Sequence, residues 1–106
     1  MFPLLNKGAR VFRNKLFLLR IVSLPGTSSS RFAFSISKKV AKSAVVRNRM
    51  RRTGYRLIKK YIKEIPSDLL VSFTFQNLPK EKIKKEIEKE VEENLKNILL
   101  ESKLLK

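Results

Sequence analysis

The 106 residues predict a small α+β domain, a sheet covered by helices on one face and left polar on the other. Three observations carry that prediction. Arg31–Ser37 and Leu69–Gln76 alternate apolar with small or polar side chains at period two, as half-buried strands do. Two longer segments, 43–63 and 77 onward, carry apolar stripes at three- and four-residue steps. No internal repeat or compositional break divides the chain, so residues 1–106 read as one domain with a single modest core.

The elements follow in order. LFLLRIV, Leu16 to Val22, is a continuous apolar run broken by one arginine and bounded by the turn-forming SLPGTSSS at Ser23–Ser30. RFAFSIS then places Phe32, Phe34 and Ile36 on one side and Ala33, Ser35 and Ser37 on the other. The two segments predict an antiparallel hairpin closed by a long loop. Its outer face is small and polar, which a sheet buried on both sides would not be.

From Ser43 to Lys63 the stripe Val46, Met50, Thr53, Leu57, Ile58, Tyr61 and Ile62 predicts a helix. Arg49, Arg52, Arg56, Lys59, Lys60 and Lys63 collect opposite it, with Arg47 and Arg51 on the flank. Gly54 sits inside the apolar stripe, where a missing β-carbon costs helix stability but lets the backbone approach the sheet. Pro66-Ser67 ends the helix, and LLVSFTFQ points Val71, Phe73 and Phe75 to the core. Asn77–Pro79 then open a last helix, with Pro79 in its first turn and a buried stripe of Ile83, Ile87, Val91, Leu95, Ile98 and Leu99. Glu81 with Lys85 and Glu92 with Lys96 are four-apart pairs on its wet side. Phe17, Phe32, Phe34, Phe73 and Phe75 are assigned to the core, while Phe2 and Phe12 fit either core or base stacking.

Charge narrows the function. Lys and Arg number 25 against 9 Asp and Glu, a net of +16. Met1 to Lys63 holds 17 basic residues and no acidic one, and Glu64 to Lys106 holds 8 basic and 9 acidic. Charge that served solubility alone would mix signs, whereas segregated charge fits a polyanion, each neutralised phosphate releasing counterions. The densest stretch is SKKVAKSAVVRNRMRR, Ser37 to Arg52, with seven cations. Arginine predominates in RNRMRR, and its planar fork binds phosphate twice over and stacks on bases. The candidate nucleic-acid-binding residues are therefore Lys38, Lys39, Lys42, Arg47, Asn48, Arg49, Arg51, Arg52 and Arg56. Asn48 could cap, contact phosphate or bond the preceding loop.

Catalysis by the chain itself is not expected. There is no histidine for proton transfer and no cysteine for thiolate ligation or disulfides. The basic half lacks the clustered carboxylates that hold Mg²⁺. The glutamates from Glu81 onward suit a solvated helix face, and Asp68 suits a turn or cap. No glycine-rich phosphate loop, secretory signal or run of about 20 apolar residues occurs. These features point to a cytoplasmic protein with no membrane and no evident protein partner, and to no catalytic or metal-ligating residue of its own.

RFAFSIS followed by SKKVAKSAVVRNRMRR resembles the protein subunit of bacterial ribonuclease P. That family shows a strand ending in SVSKK, a short link, AVVRN, and a helix beginning RNR-x-KR. The matching positions are Ser37, Lys38, Lys39, Ala44, Val45, Val46, Arg47, Asn48, Arg49, Arg51 and Arg52. Phe2, Gly8, LFLLRIV, Asp68 with its strand, and the last helix fall in the family's order. The resemblance implies an α-β-β-β-α-β-α order, ribosomal protein S5 domain 2-like, with a left-handed crossover around the basic helix and a first short strand near Arg10–Phe12. It also implies an accessory role in a ribonucleoprotein endoribonuclease that removes the 5′ leader of precursor tRNA, with the RNA as catalyst and Mg²⁺ in the holoenzyme. The partners would be ribonuclease P RNA, contacted by the RNR segment, and precursor tRNA. The single-stranded leader would lie in a cleft between the first helix and the open sheet face, near Phe2, Leu18, Arg20 and Ser35. The chain departs from the pattern where Asn6 and Arg20 stand at cleft positions often aromatic, Tyr55 replaces an arginine and Arg56 an acid. The alternative is a ribosomal or other structural RNA-binding protein of similar fold without a role in cleavage.

Overall fold

The computed structural model describes residues 10–23, 26, 30–80 and 83–105. Its strands are β1 (Arg10–Arg13), β2 (Phe17–Ser23), β3 (Arg31–Ile36) and β4 (Leu69–Phe75), and its helices are α1 (Ala44–Ile58) and α2 (Lys84–Glu101). Among the described residues the strands form one sheet in the order β1-β2-β4-β3. The helix implied ahead of β1, with Phe2, Asn6 and Gly8, lies outside the described residues.

The expected β2–β3 hairpin does not form. β4 lies between the two, antiparallel to β2 from Phe17↔Phe75 to Ser23↔Leu69 and parallel to β3 from Arg31↔Leu70 to Ile36↔Phe75. Period-two alternation reports which face a residue takes and says nothing of its neighbour strand. β4 holds the centre because Val71, Phe73 and Phe75 are all but fully buried, and a central strand has backbone partners on both edges. Parallel neighbours need a crossover, and α1 supplies it between β3 and β4.

β1, too short for a periodic signal, pairs antiparallel with β2 where the resemblance placed it. Asn14 closes the turn between them. Its Oδ1 accepts from the Leu16 and Phe17 amides at 3.1 and 2.8 Å, and its Nδ2 donates to the Asn94 carbonyl of α2 at 2.8 Å.

Ser43 caps α1, its Oγ accepting from the Val46 amide at 3.3 Å. The helix ends at Ile58, earlier than the stripe predicts, and the chain tightens through three-residue bonds from Lys60 to Leu57 and Tyr61 to Ile58 into a short 3-10 turn at Ile62–Glu64. Pro66 holds Ile65 extended, and Asp68 turns the chain into β4 with a φ of 65°. Ile62 is consequently exposed rather than part of the stripe.

α2 also begins later than expected. Asn77 is engaged elsewhere, its Nδ2 donating to the Lys15 carbonyl at 2.8 Å, so it caps no helix. The N-cap falls to Ile83, extended and 63% exposed, outside the buried stripe that Val91, Leu95, Ile98 and Leu99 form.

Both helices press on one face of the sheet. Phe34 stacks on Phe73 at 4.7 Å and 10°, and Phe17 meets Phe73 edge-on at 5.7 Å. Burying side chains of this size stabilises by roughly 1.5–3 kcal/mol each. Gly54 is where α1 crosses this cluster. A β-carbon there would fall 2.5 Å from the Phe34 ring, so the approach expected from the sequence is realised. Phe12 packs against the same core, with the Arg10 guanidinium 5.9 Å from its ring centre.

Candidate nucleic-acid interface

Two surfaces emerge, one on α1 and one on the face of the sheet that no described helix covers. The α1 surface begins in the link after β3. Ser37 accepts from the Val40 and Ala41 amides through its carbonyl at 3.1 and 3.0 Å, a tight turn that leaves Lys38, Lys39 and Lys42 exposed. Helical spacing then presents Asn48, Arg49, Arg51 and Arg52 to solvent while Met50, Thr53 and Gly54 face the core.

The predicted residues are not equivalent. Arg47 is half-buried, and its Nη1 donates to the Ala41 and Lys42 carbonyls at 2.8 and 2.9 Å, bracing the lysine-bearing link against the helix. Asn48 accepts from the Arg51 guanidinium, which orients that fork. Arg56 pairs with Glu88 of α2, and one turn later Lys60 pairs with Glu92 at 3.1 Å. Tyr61 also donates to Glu92, at 3.3 Å; burial first, and the Glu92 charge second, push its phenol pKa up and keep it a donor. Glu92 thus serves Lys60 and Tyr61, just past the end of α1, rather than the expected partner Lys96.

Between α1 and α2 lies a cavity of about 640 Å³. Arg49, Arg52, Arg56 and Lys84 wall it, with the apolar side chains of Met50 and Ile87 between them. Lys84 was not foreseen, because only the packing of α2 on α1 brings it there.

The second surface follows from strand register. Leu18, Thr74 and Ser35 form one cross-strand row, and Arg20, Ser72 and Ala33 the next. Ser35 and Thr74 are hydrogen-bonded hydroxyl to hydroxyl at 3.1 Å. The structure therefore brings Leu18, Arg20 and Ser35 to one face, with Arg20 exposed at its centre; Phe2 lies outside the described residues. Arg31, paired to Leu70, and Arg13, paired to Leu18, share the parity of this face and flank it. Sequence parity alone could have found Arg31, but Arg13 required the register of β1. The arrangement offers cations, hydroxyls and small apolar groups beside one another, a surface suited to an extended single strand.

Among the described residues no three His, Cys, Asp or Glu side chains converge to hold a metal ion, and no helix is long and apolar enough to cross a membrane.

Known proteins match this chain along nearly all its length. The family model described as Ribonuclease P matches residues 2–101. The ribonuclease P protein component of Pseudanabaena sp. (strain PCC 6903) is 30% identical over 99 residues, covering 93% of this chain and 81% of that protein. Among solved structures, the Staphylococcus aureus RNase P protein superposes with a TM-score of 0.78 at 20% identity, covering 99% of this chain and 91% of that one. The RNase P protein from Thermotoga maritima gives 0.68 at 21% identity, over 92% and 87% of the two chains. At those identities the two structures speak to the fold.

Proposed function

The chain belongs to the ribonuclease P protein family, and on that premise we propose that it is the non-catalytic subunit of a ribonucleoprotein endoribonuclease acting in the cytoplasm. In this reading α1 binds the ribonuclease P RNA, and the open sheet face holds the single-stranded 5′ leader of precursor tRNA. Hydrolysis of the leader bond is carried out by the RNA, with its Mg²⁺ bound there rather than by the protein.

The observation that carries the reading is the exposed row Arg49, Arg51 and Arg52 on a half-chain without one carboxylate. Each guanidinium can take a phosphate through two parallel hydrogen bonds, and each phosphate neutralised adds roughly 0.7–0.9 to the slope of affinity against salt. Lys38, Lys39 and Lys42 extend the surface, and Arg47 acts by bracing their link. On the sheet, Arg20 takes a leader phosphate, Leu18 supports a base, and the Ser35–Thr74 hydroxyls meet sugar or base edges. By lying between two polyanions the protein screens their repulsion, which lowers the Mg²⁺ the RNA needs.

A precursor tRNA carrying 4-thiouridine in its leader, photocrosslinked in the holoenzyme, tests the division of labour. Adducts at or beside Leu18, Arg20 and Ser35 are expected. Adducts confined to α1 would refute it.

A further inference from the structure

We infer that Glu88 and Glu92 are specificity-determining residues, carboxylates that occupy the far end of the basic surface and so confine RNA to its Arg47–Arg52 end. The inference rests on the RNA-binding reading above. Glu88 and Glu92 stand one turn apart on α2 and meet Arg56, in the last turn of α1, and Lys60, just past its end, as two rungs. The lower rung is well made, with the Lys60 Nζ at 3.1 and 3.3 Å from both Glu92 oxygens and Tyr61 donating to the same group. All nine acids lie beyond Lys63, so these two reach back across the fold onto a half-chain that has none of its own. Glu88 also lines the 640 Å³ cavity beside Arg49 and Arg52, setting one negative charge at the edge of its cationic wall.

A carboxylate within the same molecule competes with every phosphate that arrives. Both rungs are open to water, the upper with side chains 55% and 31% exposed and the lower 57% and 33%, so each resists displacement by roughly a factor of five or less. That is too little to exclude a folded RNA whose phosphates converge on Arg49, Arg51 and Arg52. It is enough to disfavour a featureless polyanion, which gains only by adding one weak contact after another. Specificity here comes from an element that opposes the wrong partner.

The test compares E88Q/E92Q with wild type for binding to poly(U) and to a bacterial ribonuclease P RNA across a salt series. For poly(U) the double variant is expected to gain about tenfold at low salt, with a slope steeper by about 1.4, two cations at roughly 0.7 each. The ribonuclease P RNA should gain no more than about threefold, narrowing the preference. The singles E88Q and E92Q, each retaining one rung, should show about half the change in slope, and they serve if the double variant folds poorly. E93Q/E101Q removes the same charge from other positions of α2 and should leave the slope at the wild-type value. An unchanged poly(U) slope in the double and single variants, or equal gains for both RNAs, would overturn the inference. A wild-type protein that shows no preference for ribonuclease P RNA over poly(U) would instead overturn the reading it rests on.

Discussion

Gly54 of α1 lies against the ring of Phe34, with 2.5 Å between that ring and the place a β-carbon would take. The ring cannot retreat, since it is stacked on Phe73 at 4.7 Å and met by Tyr55 at 5.1 Å on another side. The contact sets how closely the basic helix seats on the sheet, and it makes the placement of the exposed arginines depend on a glycine that faces the core.

Gly54→Ala is therefore expected to destabilise the protein. Overpacking costs about 1–3 kcal/mol, and the better helix former returns at most about 1. Chemical denaturation should show a net loss of roughly 1–2 kcal/mol. A stabilised variant would mean that α1 and β3 separate easily.

Tyr55 caps an edge strand. Its hydroxyl accepts from the Phe34 amide at 3.2 Å on the side of β3 that β4 does not cover. Tyr55→Phe should cost about 1 kcal/mol in thermal unfolding and speed exchange of the Phe34 amide. Affinity for RNA should hardly change, in contrast to the neighbouring arginines.

Arg47 and Arg49 should part company when replaced. Arg49→Glu with Arg52→Glu should weaken binding of ribonuclease P RNA by at least tenfold and reduce its salt slope by about two, with stability nearly unchanged. Arg47→Ala removes the brace to Ala41 and Lys42, so unfolding and amide exchange in the 38–43 link should report it. Arg47→Lys should not restore it, because one ammonium cannot reproduce the fork. Equal effects from both sites on stability and slope would contradict this separation.

Asn14 closes the β1–β2 turn with two hydrogen bonds to its Oδ1 and ties it to α2 with a third from its Nδ2. Asn14→Ala should cost about 2 kcal/mol, and Asn14→Asp should recover only the part that depends on Oδ1. Equilibrium unfolding of the two variants distinguishes them.

Much of this was legible from the residues. Period-two alternation gave the faces of β3 and β4, and the helical stripe gave the buried positions Met50, Leu57 and Ile58. Gly54 announced a close approach, and the RNR segment announced an exposed basic surface. What escaped the reading was long-range. Alternation cannot say that β4 separates β2 from β3, and RVFR is too short to have a period. The start of α2 moved because Asn77 bonds to Lys15, a contact that no local pattern encodes, and the tightening of the chain after Ile58 left no mark in the apolar stripe. Glu88 and Glu92 looked like a wet face, yet α2 turns them onto Arg56 and Lys60.

The most direct measurement is cleavage of a 5′-extended precursor tRNA by a bacterial ribonuclease P RNA at low Mg²⁺, with and without this protein. Restored cleavage at the mature 5′ end, with the protein inactive alone, is the predicted result. Binding to that RNA without any gain in cleavage, or cleavage by the purified protein without RNA, would contradict it.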